Sequence, residues 1–173
     1  MACTSLGRTD RDLVDTQAKL DPFLPPRDAE TYNPAICLAS TGELIGLGGV
    51  FATDSKLGWP EVGYMLRSEH WGRGYATEFL KAFVQMWWSL PRSEAETRVD
   101  AVSVDALRGR EVEVPELLCA MVESTNIGSL RVMEKAGFTQ FKTWTETSHR
   151  AGSEGTEVTL IGLRNVRPET KGP

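Results

Sequence analysis

Cysteine, histidine and long apolar runs are all scarce in this chain. Its three cysteines, Cys3, Cys37 and Cys119, are odd in number and share no CxxC or Cys/His spacing. That excludes a disulfide framework, leaves no zinc signature, and predicts a reducing, cytoplasmic setting with no metal. The N-terminus carries no apolar run of about 7–15 residues, and no run of about 18 occurs anywhere, so neither a secretory signal nor a membrane span is expected. A Lys/Arg-rich tract is missing too. With 19 basic against 24 acidic residues the net charge is −5, a field that disfavours nucleic acid and anionic membranes and mildly favours cationic acceptors such as amines. His70 and His149 stand apart from each other and from any ligand-like neighbour, and both read as exposed and without a role. Internal repeats and low-complexity tracts are absent. The 173 residues, 40% hydrophobic, suit one domain spanning 1–173 with a core of its own.

The pattern that is present alternates strands with helices. Thr9–Leu20 reads as a helix closed by the Pro22–Pro26 stretch. Pro34–Ser40 and Glu43–Phe51 are apolar runs joined by Thr41-Gly42, a hairpin in which Gly48-Gly49 marks a bulge or a close approach. Asp54–Trp59 is a polar connection and Glu61–Leu66 the next strand. From Gly72 onward Ala76, Phe79, Leu80, Phe83, Val84, Trp87 and Trp88 recur every three or four residues, the broad stripe of a helix lying on a sheet, and Pro91 ends it. Residues 92–116, polar with one alternating piece at Val99–Val104, form an insertion longer than an ordinary connection. Leu117–Val122 is a buried-type strand. Ser124-Thr125-Asn126 supplies N-cap chemistry for a helix over Ile127–Ala136, which Gly137-Phe138 terminates. Strands over Thr139–Thr147 and Glu157–Leu163 close the pattern around a turn-rich loop, and the tail from Arg167 to Pro173 reads as frayed.

Chemistry concentrates where the strand ending at Leu66 gives way to the helix beginning near Tyr75. The stretch Trp71-Gly72-Arg73-Gly74-Tyr75-Ala76-Thr77 sets small residues at a helix N-terminus, where unpaired N–H groups and the positive end of the helix dipole favour an anion. A phosphate-bearing ligand is therefore expected. A dinucleotide fingerprint fits poorly, because Gly72 and Gly74 lack the later glycine and no second βαβ half follows.

Together with Asn126-Ile-Gly-Ser129-Leu-Arg-Val-Met-Glu-Lys135-Ala-Gly137-Phe138, that turn resembles the GNAT N-acetyltransferases, and in particular their ribosomal-protein acetyltransferase-like branch. The resemblance is strong from about Gly42 to Phe138, extends to Leu163, and is poor before residue 34, where the family's usual first strand is missing. It implies an α/β fold with a central mixed, mostly antiparallel sheet and helices on both faces, and acetyl-CoA as the cosubstrate. By resemblance, Trp71, Gly72, Arg73, Gly74, Tyr75, Ala76 and Thr77 surround the pyrophosphate, Arg73 being either a phosphate contact or a solvated side chain. Tyr64, Met65 and Leu66 pair through their backbones with the pantetheine arm, and one N–H there stabilises an oxyanion. Asn126 bonds the same arm, or acts simply as an N-cap, or both.

Transfer to an amine that is mostly protonated at neutral pH needs a base, and the leaving thiolate needs a proton or a hydrogen bond. The family attacks the thioester directly, without an acyl-enzyme. Glu61 and Glu123, at the two strand ends flanking the groove, are the candidate bases, and Ser129 is the candidate group near the sulfur. Cys119, in an apolar strand, reads as inert core. Trp59, Trp144 and Phe51 are candidate walls of an acceptor pocket, with core packing the alternative for Phe51. The expected acceptor is a small-molecule or peptide amine, and the expected state a monomer or homodimer. The competing reading is a CoA-binding protein of this fold that performs no acetyl transfer.

Overall fold

A computed structural model describes residues 9–26, 28, 31–52, 55–104 and 111–168. The expected frayed end past residue 168, the middle of the insertion at 105–110, and Cys3 lie outside them. Helix α1, Leu13–Leu20, starts where the Asp12 side chain accepts from the Asp15 N–H at 2.8 Å, and gives way to a 3₁₀ turn, Asp21–Phe23, that carries Pro22. None of its side chains is buried; Leu13 is 84% exposed and Val14 77%.

The predicted hairpin forms strands β1, Ala35–Cys37, and β2, Leu44–Ala52. At Gly49 the signal was a close approach: a Cβ there would lie 2.0 Å from the Tyr32 carbonyl, and φ is +156°. Strand β3, Glu61–Leu66, follows, then α2, Tyr75–Ser89. After the insertion come β4, Leu117–Glu123, α3, Ile127–Lys135, β5, Thr139–Thr147, and β6, Glu157–Val166. The six strands form one sheet in the order β1-β2-β3-β4-β6-β5, antiparallel everywhere except between β3 and β4.

The main core lies between the sheet and α2. Leu80, Phe83, Val84 and Trp87 present the predicted stripe to Val50, Val62, Leu118, Ala120 and Val122, and α3 adds Met133 beside them. Phe83 is 1% exposed, so Phe83→Ala would cost about 3–5 kcal/mol. The opposite face is covered differently. There Val99, Val104 and Val114 of the insertion pack on Leu57, Trp59, Leu117 and Cys119, and Phe23, just after α1, meets Phe51 edge-on at 6.4 Å. The alternating piece at Val99–Val104 is not a strand; Ala101–Val104 is a 3₁₀ turn that turns Ser103 inward to accept from Trp59 Nε1 at 2.8 Å. The ends of the insertion are tied together, since Arg92 donates to Glu116 at 2.6 Å and to the Trp87 and Leu90 carbonyls at the α2 C-terminus. Among the described residues no helix is long and apolar enough to cross a membrane.

Candidate active site

The parallel junction is the feature that makes a site. Strands β3 and β4 share one register pair, Glu61 with Cys119, next to a bond from the Cys119 N–H to the Pro60 carbonyl at 2.9 Å. Beyond it β3 runs on to Leu66 and β4 to Glu123 without pairing, so the sheet splits. Which backbone groups face the split follows from the ladder on the other side. The Arg67 N–H donates to Ile45 at 2.8 Å, and antiparallel alternation then turns Met65 and Gly63 toward β2 while Tyr64 and Leu66 face the gap. Of the three residues expected to offer backbone edges, Tyr64 and Leu66 do so, and Met65 is engaged with β2. The Leu66 carbonyl is already taken, by Trp71 Nε1 at 2.8 Å. Tyr64 N–H, Tyr64 C=O and Leu66 N–H remain.

At the mouth of the split the chain turns through Trp71–Gly74 into α2. Gly72 and Gly74 have φ of +72° and +88°, and nothing lies within 4 Å of where their Cβ atoms would be. Backbone conformation, rather than crowding, is what demands glycine here. Gly74 is the N-cap of α2 and brings no side-chain acceptor, so the first N–H groups of the helix, at Tyr75, Ala76 and Thr77, are uncapped. Among the described residues no acceptor meets the N–H groups of Gly72, Arg73 or Gly74 either. This is a cradle of donors open to an anion, with the exposed Arg73 side chain beside it.

Glu61 stands at the vertex, its carboxyl on the face opposite α2. Burial pushes it up from an ordinary 4.5 to about 7, against a smaller downward pull from Lys56. Its neighbour Cys119 is fully buried, and that burial, with the Glu61 charge adding to it, raises the thiol to about 12. A thiol held there is protonated and unreactive. Glu123 lies at the far end of β4, bonded to Arg150 of the β5–β6 loop at 2.7 Å, so its charge is already neutralised. Asn126 caps α3 by accepting from the Ser129 N–H at 3.1 Å, and Ser129 Oγ in turn accepts from the Tyr64 hydroxyl at 3.2 Å. The phenol is what sequence reasoning missed: strand alternation puts Tyr64 on the helix face with Val62 and Leu66, where a buried hydroxyl needs a partner.

Other expectations change. His70 is buried rather than exposed, because the 3₁₀ turn Ser68–His70 folds it against Tyr75, ring centroids 6.2 Å apart. Trp59 is a core residue under the insertion, 6% exposed, and does not line an open pocket. Phe51 is 42% exposed, and Trp144 donates to Glu146 at 3.1 Å. Among the described residues no group of three or more His, Cys, Asp and Glu side chains is placed to hold a metal ion.

A mixed sheet split between two parallel strands, with an uncapped helix N-terminus at the mouth, defines an α/β domain whose open edge and free N–H groups suit an extended, phosphate-bearing ligand. A family model described as an acetyltransferase (GNAT) domain matches residues 2–139, and the chain belongs to that family. It is similar to a Bacillus licheniformis protein described as an uncharacterized N-acetyltransferase p20, at 29% identity over 75 residues. That match takes in 43% of this chain and 42% of the relative's length, so less than half of the relative is spanned. Among solved structures, a GNAT-family acetyltransferase from Bacillus anthracis superposes with a TM-score of 0.65 at 16% identity, over 96% of this chain and 81% of that one. Spermidine N-acetyltransferase from Vibrio cholerae, in complex with CoA and spermine, superposes with a TM-score of 0.63 at 12% identity, over 91% and 76%. At these identities the two structures show a common fold.

Proposed function

We propose that this protein, taken as one domain over residues 1–173, is an acetyl-CoA-dependent N-acetyltransferase that moves the acetyl group to a primary amine by direct attack in a ternary complex. The observation that carries this is the continuity of the split: free backbone edges at Tyr64 and Leu66 lead to the open N–H cradle at residues 72–77, with Glu61 at the vertex. A pantetheine arm fits the first as an added strand, and a pyrophosphate the second. Asn126, whose side chain caps α3 at the Ser129 N–H, is by family resemblance a second partner of that arm. The Leu66 or Tyr64 N–H is the donor available to an oxyanion.

Proton acceptor and hydrogen-bond donor stand on opposite faces of the sheet. Glu61, held near 7, is poised to take a proton from an amine arriving on the insertion face. The neutral amine nitrogen then bonds to the acetyl carbon and sheds its second proton to solvent, the C–S bond breaks with its electron pair going to sulfur, and Ser129 on the helix face supplies a hydrogen bond to the thiolate. Glu123, paired with Arg150, serves better as a structural tie than as a second base.

The acceptor is a small-molecule amine or a peptide amine, N-terminal or lysine; placement in the ribosomal-protein acetyltransferase-like branch rests on the Trp71–Ala76 turn and the Asn126–Phe138 block. A cytoplasmic setting is part of the same proposal and rests on cysteine usage. Thiol release should be measured with a panel of polyamines, peptides with free N-termini and lysine peptides, alongside CoA binding by calorimetry. Turnover that falls in Glu61→Gln and Ser129→Ala is expected. Binding without turnover, unchanged by either substitution, would establish the non-transferring CoA-binding alternative instead.

A further inference from the structure

The Tyr64 phenol is the polar group that this reading leaves without a task. Its ring packs against the core under α2, yet its hydroxyl crosses to α3 and donates to Ser129 Oγ at 3.2 Å. Burial raises the phenol above its ordinary value of 10, so it remains a donor across the neutral range. A serine hydroxyl has one proton and two lone pairs, and in a helix it commonly spends the proton on a carbonyl three or four residues back. For Ser129 those carbonyls belong to Asn126 and Thr125, which accept from the Leu130 and Ile127 N–H groups at 3.1 and 3.0 Å, and no bond from Ser129 Oγ reaches either. Among the described residues Ser129 Oγ donates to no group.

We propose that Tyr64 is a positioning residue that acts through Ser129: by occupying a lone pair of the Ser129 hydroxyl, it leaves that hydroxyl's proton directed into the split, toward the sulfur of a bound thioester. The inference rests on the transferase reading above. Ser129 keeps its proton throughout; the amine's proton leaves by way of Glu61, and the thiolate takes one up from solvent on release. Losing the phenol leaves the hydroxyl present and free to rotate, so its effect falls on the sulfur and not on donor binding.

The test titrates the thiol of CoA bound to the protein alone, by the ultraviolet absorbance of the thiolate with the desulfo-CoA complex subtracted. It needs neither an acceptor nor turnover. The wild-type complex is expected to ionise about one pH unit below free CoA, as one hydrogen bond to the thiolate would give. Ser129→Ala should abolish that displacement, Tyr64→Phe should abolish most of it, and the double variant should add nothing to Ser129→Ala. In turnover, Tyr64→Phe should lower kcat while the KM for acetyl-CoA stays within about twofold. Ser129→Thr, which keeps the hydroxyl, should preserve the displacement alone and lose it when combined with Tyr64→Phe. Equal titration of Tyr64→Phe and wild type, or additive effects of Tyr64→Phe and Ser129→Ala, would overturn the proposal. A wild-type chain that binds CoA with an undisplaced thiol overturns it alone, whereas one that binds no CoA overturns the donor reading with it.

Discussion

Replacing Glu61 by Gln is expected to make the protein more stable and less active at the same pH. Burial holds the Glu61 carboxyl at about 7 in the folded chain, against 4.5 when exposed. A carboxyl whose value rises on folding binds its proton more tightly in the native state. Its contribution is therefore most favourable below about pH 4.5 and is lost as pH rises through 7, because the unfolded chain holds fewer protons in that window. The difference corresponds to about 3 kcal/mol lost by pH 8. Glutamine is neutral and nearly isosteric, so Glu61→Gln should match wild type near pH 4.5 and exceed it by about 3 kcal/mol at pH 8, raising Tm by roughly 6–12 °C. In the amine assay the same substitution removes the base and should lower kcat by about 100-fold or more at neutral pH. Wild-type kcat/KM should climb with pH through about 7 as the carboxyl ionises. Denaturant titrations of both proteins across pH 4.5–8.5 decide the first half. Parallel stability curves would refute the buried-charge argument, and retained kcat would refute the role as base.

Three further outcomes follow from the geometry. Gly74→Ala must hold an alanine at φ +88° with empty space around its Cβ, so it should cost only about 1–2 kcal/mol in a thermal melt, while CoA affinity by calorimetry falls about tenfold or more as the cradle closes. Asn126→Ala should lose about 1 kcal/mol from the missing cap to the Ser129 N–H, whereas Asn126→Ser keeps the cap. If calorimetry finds that Asn126→Ser binds CoA as wild type does, the side chain is a cap and nothing more. Arg92→Ala frees the C-terminus of α2 from the far end of the insertion and should cost about 2–4 kcal/mol by chemical denaturation, with KM for acetyl-CoA unchanged because the cradle lies at the other end of that helix.

The amino-acid sequence by itself determined most of the elements and the open turn that leads into α2. The 3.6-residue recurrence from Phe79 to Trp87, the Asn126 cap and the Gly137 stop are local properties, set by side chains within a turn or two of one another. The Trp71–Thr77 cradle was legible for the same reason, since its donors are the backbone of one contiguous segment. Tertiary structure alone decided the rest. The split opens because β3 and β4, more than fifty residues apart in sequence, meet at a single pair, and that junction selects Tyr64 and Leu66 over Met65. Glu61 and Glu123 look alike as strand-end carboxylates until the fold buries one at the vertex and delivers Arg150 to the other. The bond between Tyr64 and Ser129 joins residues 65 apart, and His70 and Trp59 change from surface to core, because proton affinity and burial depend on what the whole chain brings within a few ångströms.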